Sequence, residues 1–205
     1  MFSTLIMFAC AYLLGSLLPG FWIGLIFYHK DIRDEGSGNI GTTNSFRVLG
    51  PVAGTATLVL DLLKGTAAGL LPIVFHSTIN PMLVGIAAIL GHTFSIWLKF
   101  KGGKAVATSA GVLLAYNPQF FFMVATVFIV MLLLTSMVSV SSMVGFSFAL
   151  VTSFFYHDWI LTVVAAVLTG FVFYRHRSNI QRIKNGTEST VPFGWYHHYQ
   201  QTHHK

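Results

Sequence analysis

Three polar segments of the chain combine glycines, neutral hydrogen-bond donors and cations, a mixture of residue types suited to binding phosphate. In the first segment, residues 36–47, the glycines let backbone N–H groups approach an anion closely. Arg47 ends the segment with a planar guanidinium that can contact two phosphate oxygens at once. The candidate phosphate-binding residues here are Gly36, Ser37, Gly38, Asn39, Gly41, Thr43, Asn44 and Arg47.

The opening of this segment also matches the G-x-G-x-x-G pattern of dinucleotide-binding folds. That fingerprint requires a preceding strand within a βαβ unit, whereas the residues before Gly36 include a long apolar run typical of a membrane helix. We therefore reject the dinucleotide interpretation and keep anion binding. A flexible interfacial turn with an arginine reaching toward water is the alternative.

The second polar segment, residues 91–108, contains a paired glycine followed by a lysine. It is not a Walker A loop, because Leu98 replaces a required glycine and Ala105 follows the lysine. The free amides, helix dipole and ammonium at such a helix start still suit an anion. A basic loop that only sets membrane orientation would explain Lys99 equally well. The candidates here are His92, Lys101, Gly102, Gly103 and Lys104.

The third polar segment, residues 175–188, follows the last apolar run directly. Helical spacing predicts that Arg175, Ser178, Asn179 and Arg182 lie on one side of a continuous helix. Ordinary juxtamembrane charge explains part of this pattern. The candidates are His176, Asn179 and Arg182, with Glu188 expected to orient Arg182 or a backbone turn.

The elements that must position these segments are membrane helices. The chain has 205 residues, 54% hydrophobic and only 9% charged, which excludes a soluble domain. A spanning helix needs about 20 apolar residues. We predict an all-α polytopic integral membrane protein of about seven transmembrane helices, the fourth being short. The predicted spans are 5–28, 52–75, 81–98, 105–116, 119–134, 138–156 and 159–174.

The positions of lysine and arginine predict the orientation of these spans. Eleven of the 12 cations, all except Lys64, fall in loops or the tail on one side, which the positive-inside rule makes cytoplasmic. The N-terminus is then outside and the C-terminus inside. The net charge of +6 follows from this topology, so we expect no nucleic-acid partner. The eleven are Lys30, Arg33, Arg47, Lys99, Lys101, Lys104, Arg175, Arg177, Arg182, Lys184 and Lys205.

The second span contains two charges, Asp61 and Lys64, three residues apart and therefore on one helical face. Charges in lipid are costly, so they pair or line a functional cavity. We expect Asp61 to neutralise Lys64 or a cytoplasmic arginine in a supporting role. With the single Cys10 and no metal-binding cluster, we expect no metal and no cofactor in one domain, residues 1–205, with a polar tail at about 189–205.

Taken together, the three segments resemble the bacterial glycerol-3-phosphate acyltransferases that use acyl phosphate as donor, the PlsY type. That family carries G-S-G-N-x-G-x-T-N-x-x-R, then G-H with K-F-x-G-G-K-x-x-A-T, then R-H-x-x-N-I-x-R followed by G-x-E, and all are present here in order. The resemblance extends to Asp61–Lys64–Gly65 and to Ser139 and Ser142, and it reaches about Glu188. Ala105 stands where many relatives have glycine.

The resemblance implies transfer of a fatty acyl group from acyl phosphate to the 1-hydroxyl of glycerol 3-phosphate, giving lysophosphatidic acid and phosphate in an early step of phospholipid synthesis. It implies a multi-pass protein of the bacterial cell membrane with a cytoplasmic site, coupled functionally to enzymes that make acyl phosphate and that acylate the product. The catalytic residues it implies are Ser37, Arg47, Lys104, His176 and Asn179, with Ser139 and Ser142 among the substrate-binding ones.

The residue types suit that reaction because both substrates carry phosphate, which the cations of all three segments can neutralise in one composite site. The proton of the attacking hydroxyl has three candidate acceptors: His92, His176 and the acceptor's own phosphate, with substrate assistance favoured. Ser37 as an acyl-serine nucleophile is the alternative to direct transfer.

The main rival from another functional class is a membrane transporter for phosphate or another anion. Cationic loops and the charges Asp61 and Lys64 would also suit a permeation path. Against this, the polar residues crowd one membrane face and the sequence shows no inverted repeat. A membrane protein without catalysis would leave the three clustered segments unexplained.

Overall fold

The computed structural model describes residues 2–203, and every regular element in that range is a helix. The chain forms two compact units, the first ending at Pro118 and the second beginning at Gln119. The single domain expected from the sequence stays a prediction. Lys205, one of the predicted cytoplasmic cations, lies outside the described residues.

The first unit consists of apolar helices linked by polar loops, with a 3-10 turn at Ile96–Leu98. Its α-helices are α1 (Phe2–Ser16), α2 (Pro19–Phe27), α3 (Thr42–Leu49), α4 (Pro51–Val74), α5 (Pro81–Thr93) and α6 (Val106–Tyr116).

The second unit has three longer apolar helices followed by two short polar ones, with a 3-10 turn at Phe154–Tyr156. Its α-helices are α7, which starts at the last residue of the first unit (Pro118–Thr135), α8 (Val138–Ser153), α9 (Trp159–Arg175), α10 (Arg177–Lys184) and α11 (Trp195–His203).

Four helical segments within residues 2–203 are long and apolar enough to cross a membrane: Pro51–Val74, Pro81–Leu98, Pro118–Thr135 and Val138–Tyr156. The number rises to six if α1 with α2 and α9 with α10 each count as one bent span. The predicted span at residues 105–116 corresponds to α6, whose 11 residues are too few for a full crossing. The all-helical membrane fold thus agrees with the sequence, whereas the count of seven spans stays a prediction.

The first predicted span is not one straight helix, because it breaks before Pro19. The residue before a proline is disfavoured in the helical region, and Leu18 has φ −115° and ψ 85°. The two helices are bent by 47° at this break. The amide of Phe21, which would bond Leu17 in a continuous helix, donates to the carbonyl of Leu18 instead. The break therefore leaves the Leu17 carbonyl available to a side chain.

Close packing of α4 against α6 depends on glycine in both helices. A Cβ on Gly65 would collide with the carbonyl oxygen of Thr108, and one on Gly111 would collide with that of Leu62. Small residues let two helix backbones approach closely where lipid provides no hydrophobic drive for association. This contact fixes the short α6, and with it the cationic loop that precedes α6.

In the second unit, the predicted polar tail is tied to the start of α8 instead of running free. The amide of Val191 donates to the carbonyl of Ser136 at 2.8 Å, and the amide of His197 donates to the Ser136 hydroxyl at 3.1 Å. Gly194, at φ 97°, packs on the same serine. The described part of the tail is therefore an ordered element ending in α11.

Candidate functional site

The first polar segment is organised by Asn44, which lies buried at the start of α3. Its side-chain oxygen accepts from the backbone N–H of Ser37 at 2.9 Å and from the Ser37 hydroxyl at 3.2 Å. Its side-chain nitrogen donates to the carbonyls of Ile32 and Glu35 at 2.7 and 3.1 Å. All four hydrogen-bonding capacities of the amide are used. Asn44, expected to contact phosphate directly, is therefore engaged in shaping the loop.

The loop that Asn44 closes requires glycine at two positions. Gly36 and Gly38 have φ of 63° and 67°, a left-handed conformation that side chains with a Cβ rarely adopt. Ser37 lies exposed between them. The amide of Gly38 donates to the carbonyl of Glu35 at 3.1 Å, so the loop uses this N–H internally. Further donors lie at the start of α3, where Gly41 supplies no capping side chain to Thr42 and Thr43.

The cations around this loop differ in their partners. Lys30 lies 3.1 Å from Glu35, and Arg33 forms a two-pronged pair with Asp31. The hydrogen bonds from Arg33 lower the pKa of Asp31 below its ordinary value, so this pair stays charged at neutral pH. Arg47 has no ion-pair partner within residues 2–203, and its Cδ lies 3.2 Å from where a Cβ of Gly36 would be. Among these three cations, Arg47 is therefore the one available to bind an external anion.

A buried polar cluster lies beneath the second polar segment, between α4 and α5. Lys64 Nζ lies 2.7 Å from Oδ1 of Asp61 and 2.8 Å from Nδ1 of His92. It also donates to the carbonyl of Leu17. The Thr108 hydroxyl, on the first turn of α6, lies 3.2 Å from the same Nδ1. Of the two partners expected for Asp61, the structure therefore shows Lys64.

The paired glycine of the second segment packs directly on His92. The amide of Gly103 donates to the His92 carbonyl at 3.1 Å, and a Cβ on Gly102 would collide with that same oxygen. A Cβ on Gly103 would collide with Nε2 of the ring. The glycines are needed here for close approach to His92, and Lys104 follows them directly, half-buried, while Lys101 is exposed.

Ala105, the residue before α6, has φ 58° and ψ 19°. This left-handed conformation costs a residue with a Cβ about 1–2 kcal/mol. It explains why glycine is the expected residue at this position, and it shows that alanine is accommodated here at a strain cost.

The third polar segment is organised by Glu188 within the second unit. One carboxylate oxygen accepts from the Ser139 hydroxyl at 2.7 Å and from the Asn179 amide at 2.6 Å. The other accepts from Nε of Arg182 at 2.8 Å. Burial by itself would raise the pKa of Glu188, but the hydrogen bonds from Asn179, Ser139 and Arg182 lower it below the ordinary value. Glu188 is therefore a charged anchor for two of the candidate residues.

The helix predicted through residues 175–188 is broken at His176, which corrects the expectation of one continuous face. Helices α9 and α10 meet there with a bend of 57°, so Arg175 belongs to a different helix from Asn179 and Arg182. His176 is buried, and its Nδ1 lies 2.8 Å from the carbonyl of Val172. Because a carbonyl only accepts, Nδ1 carries the proton and the lone pair of the neutral ring is on Nε2.

Two serines of α8 that the family resemblance implies have partners within the second unit. Ser139 donates to Glu188, and the buried Ser142 donates to the carbonyl of Val138 at 2.7 Å. Ser139 thus takes part in holding Glu188, while Ser142 makes an ordinary bond within its helix.

Sequence reasoning missed two participants of the buried cluster in the first unit. Thr108 could have been found, because it lies four residues after Lys104 in the polar segment itself. The Leu17 carbonyl carries no sequence signal of its own. Pro19 is the only hint, since it breaks the backbone pattern that would otherwise use that carbonyl.

An apolar cavity of about 450 Å³ lies along α2 and α4. Trp22, Ile26 and Phe27 line it from α2, and Leu60 and Leu63 line it from α4. Another part of the α2 surface packs on the first polar segment: a Cβ on Gly20 would approach the Ser45 hydroxyl and the Ile40 carbonyl. Helix α2 therefore contacts both the first polar segment and an apolar groove.

Sequence relatives of the chain share one description. The family model for glycerol-3-phosphate acyltransferase matches residues 5–186. Proteins named glycerol-3-phosphate acyltransferase from Latilactobacillus sakei and Lactiplantibacillus plantarum are each 57% identical to the chain. The first alignment covers 96% of both proteins and the second covers 94% of both.

Solved structures show the same likeness. The crystal structure of PlsY (YgiH), an integral membrane glycerol 3-phosphate acyltransferase, in its glycerol 3-phosphate form is 33% identical with a TM-score of 0.87. That match covers 92% of this chain and 96% of the other. The lysophosphatidic acid form matches with a TM-score of 0.82 at 32% identity, over 92% and 95% of the two chains.

Proposed function

Because the chain belongs to the glycerol-3-phosphate acyltransferase family of integral membrane enzymes, we propose that it acylates the 1-hydroxyl of glycerol 3-phosphate with acyl phosphate as donor. The hydroxyl oxygen forms an ester bond to the acyl carbon, and the bond from that carbon to the phosphate oxygen breaks. The products are lysophosphatidic acid and inorganic phosphate. Relatives named for this acylation, and the lysophosphatidic acid form of one, support the proposal. The transporter rival has no support from the family.

The observation that carries the proposal is the contrast among the cations of the first loop. Lys30 and Arg33 are neutralised by carboxylates, whereas Arg47 has no such partner within residues 2–203. Arg47 lies beside Gly36, in the last turn of the short helix α3, whose start has no capping side chain. A guanidinium together with helix N-terminal amides is a strong site for a phosphate dianion. We assign Arg47 and Thr43 to substrate phosphate, with Gly36, Gly38 and Gly41 shaping the backbone around it.

Lys104 and Lys101 supply further positive charge just before α6. The packing of Gly102 and Gly103 on His92 holds this loop in place. Acyl phosphate and glycerol 3-phosphate are both anions, so neutralisation lowers the cost of bringing them together. It also stabilises the phosphate that leaves. In our proposal, Lys104 neutralises the negative charge of these phosphates. Lys101, which is more exposed, adds to the positive potential of the loop.

Asn179 and Arg182 of the second unit take part as hydrogen-bond donors that Glu188 holds in place. His176 is a positioning residue whose Nε2 can accept a hydrogen bond, since its Nδ1 donates to Val172. A phosphate with a second pKa of about 6 is also a competent proton acceptor, so substrate assistance remains our preferred route.

Direct transfer is favoured over an acyl-serine intermediate at Ser37. The Ser37 hydroxyl lies 3.2 Å from the amide oxygen of Asn44, which cannot act as a base at neutral pH. A serine nucleophile needs an adjacent base to remove its proton. We therefore assign Ser37, with Asn39 nearby, to hydrogen bonding of a substrate phosphate.

The apolar groove along α2 and α4 is our candidate for the acyl chain of the donor. Its lining is almost wholly hydrocarbon, from Trp22, Ile26, Leu60 and Leu63 among others. Helix α2 lines the groove and also packs on the first polar segment through Gly20, so one helix would contact both the acyl chain and the phosphate-binding segment.

The membrane topology completes the proposal. We place the protein as a multi-pass protein of a bacterial cell membrane, with its N-terminus outside and its cationic loops on the cytoplasmic side, as the positive-inside rule predicts. Functional coupling follows from the chemistry: one enzyme must supply the acyl phosphate, and another must acylate the second hydroxyl of the product.

A donor comparison tests the proposal. Purified protein in lipid vesicles is given glycerol 3-phosphate with either palmitoyl phosphate or palmitoyl-CoA, and lysophosphatidic acid is measured by mass spectrometry. We expect product from the acyl phosphate alone. Product from the thioester at an equal rate would contradict the assigned donor.

A further inference from the structure

The ammonium of Lys64 contacts three groups in the interior of the first unit, two through hydrogen bonds and one, Asp61, through an ion pair. These are the carbonyl of Leu17, Oδ1 of Asp61 at 2.7 Å and Nδ1 of His92 at 2.8 Å. A lysine ammonium has three N–H donors and no acceptor. The side chains of Lys64, Asp61 and His92 are only 6%, 3% and 4% exposed, so water does not compete for these bonds.

Each of the three acceptors is held by a different piece of the fold. The Leu17 carbonyl is available because α1 breaks before Pro19. Asp61 lies one turn before Lys64 on α4, and His92 lies near the end of α5. The ammonium is therefore fixed in position by three separate elements, and it approaches His92 from a set direction.

The contact with Lys64 determines which ring nitrogen of His92 carries the proton. Oδ1 of Asp61 lies 3.4 Å from Nδ1 of this ring but makes no hydrogen bond. The ammonium, at 2.8 Å, only donates, so Nδ1 of His92 accepts from it and the proton of the neutral imidazole is on Nε2. Protonating Nδ1 as well would set an N–H of an imidazolium against an ammonium at 2.8 Å. That arrangement loses a hydrogen bond and adds like-charge repulsion in a low-dielectric interior.

The protonated side of the ring faces the second polar segment. Nε2 is next to Gly103, whose own amide donates to the His92 carbonyl at 3.1 Å. Lys104 follows immediately. His92 thus contacts this segment through its ring and its backbone, while Lys64 holds the opposite edge of the ring.

We propose that Lys64 is a positioning residue that locks His92 in the Nε2–H tautomer, so that His92 acts as a hydrogen-bond donor beside residues 102–104 and does not accept the proton of the attacking hydroxyl. Of the three proton acceptors compatible with the sequence, two remain: His176 and the acceptor phosphate. This inference rests on the proposed function for its catalytic meaning. The assignment of the His92 tautomer does not depend on the proposed function.

The tautomer can be measured without any activity assay. Protein labelled with ¹⁵N at histidine and lysine, in lipid bilayers, gives nitrogen shifts that distinguish a protonated from an unprotonated ring nitrogen. A through-space contact between Lys64 Nζ and His92 Nδ1 assigns the signals in the wild-type chain. We expect an unprotonated Nδ1 and a protonated Nε2 throughout the pH range of activity. A protonated Nδ1 would overturn the proposal, whatever reaction the enzyme catalyses.

Two substitutions of His92 separate donation at Nε2 from simple support of Lys64. Glutamine can place an amide N–H near the position of Nε2, whereas asparagine offers Lys64 an oxygen near the position of Nδ1 but reaches no further. We expect H92Q to keep kcat/KM within about 10-fold of wild type and H92N to lose about 100-fold, the effect of one well-placed donor. Equal activity of the two variants would contradict a role for the Nε2 donor.

The pH profile distinguishes a donor from a base. If His92 took the proton, replacing it would remove the acidic limb of the kcat/KM profile. We expect H92Q to keep the wild-type limb. Its disappearance would return His92 to the set of proton acceptors.

Discussion

Arg182 and Glu188 form an ion pair in which Nε of the guanidinium donates to Oε2 at 2.8 Å and the carboxylate is only 6% exposed. The same carboxylate holds Asn179, so one buried charge sets the orientation of two candidate substrate-binding side chains. Such a group is costly to neutralise, because its three donors lose a charged acceptor while they remain in place.

Glu188→Gln is therefore expected to lower both stability and activity. We expect a loss of about 1–3 kcal/mol in the free energy of unfolding, the range for a buried charged hydrogen bond. Intrinsic tryptophan fluorescence during heating in detergent measures the stability. Glu35→Gln is the matched control, because its pair with Lys30 is about half exposed, at 45% and 46%. Equal destabilisation by the two variants would contradict the anchoring role of Glu188.

The stability contributed by Glu188 is also expected to depend on pH. Its pKa is lowered in the folded protein from an ordinary value of 4.5, so the contribution is complete above that value. It is lost as the pH falls through the lowered, folded pKa, where the carboxylate becomes protonated. The difference in melting temperature between wild type and Glu188→Gln should be constant from pH 7 to about pH 5 and shrink below. A gap that widens in acid would refute this assignment.

Arg47 and Arg33 test whether a cation without a partner in the protein binds the substrate phosphate. Removing a charge-assisted contact of about 3 kcal/mol should lower kcat/KM about 100-fold in Arg47→Ala. Arg33→Ala frees Asp31 and removes a contact 4.9 Å above the Phe21 ring, and we expect less than about a threefold change in kcat/KM. Initial rates over a range of glycerol 3-phosphate and acyl phosphate concentrations provide the comparison. Similar losses in both variants would point to general loop disruption.

Ala105 tests the strain at the start of α6. Its φ of 58° favours glycine, so Ala105→Gly relieves about 1–2 kcal/mol of strain, partly offset by greater freedom in the unfolded chain. We expect unchanged or slightly increased thermal stability. Ala110→Gly, in the interior of α6, is the control and should cost about 1 kcal/mol. If both variants are equally destabilised, the strain at Ala105 is not significant.

The sequence predicts the features that arise from local spacing. The apolar runs predict the helices, and the three-residue spacing of Asp61 and Lys64 predicts a shared face, which the structure realises as an ion pair. Glycine spacing also indicates a tight loop at residues 36–41, where Gly36 and Gly38 are left-handed.

The sequence does not predict features that depend on contacts between distant elements. From the sequence, Asn44 is predicted to donate a hydrogen bond to a ligand. In the structure its side-chain amide instead bonds to backbone carbonyls and to Ser37 within its own loop. The break at His176 has no proline or glycine to signal it, so periodicity extends the helix through it. The third acceptor of Lys64 is a backbone carbonyl 47 residues away, which side-chain patterns cannot indicate.

The most direct test of the central claim is the stoichiometry of the reaction in lipid vesicles. Purified protein is given palmitoyl phosphate and glycerol 3-phosphate, and lysophosphatidic acid and inorganic phosphate are quantified in the same samples. We predict that the two products appear together in a ratio of one to one, and that phosphate release stops when glycerol 3-phosphate is omitted. Folded protein that forms neither product, or that releases phosphate without lysophosphatidic acid, would contradict the claim.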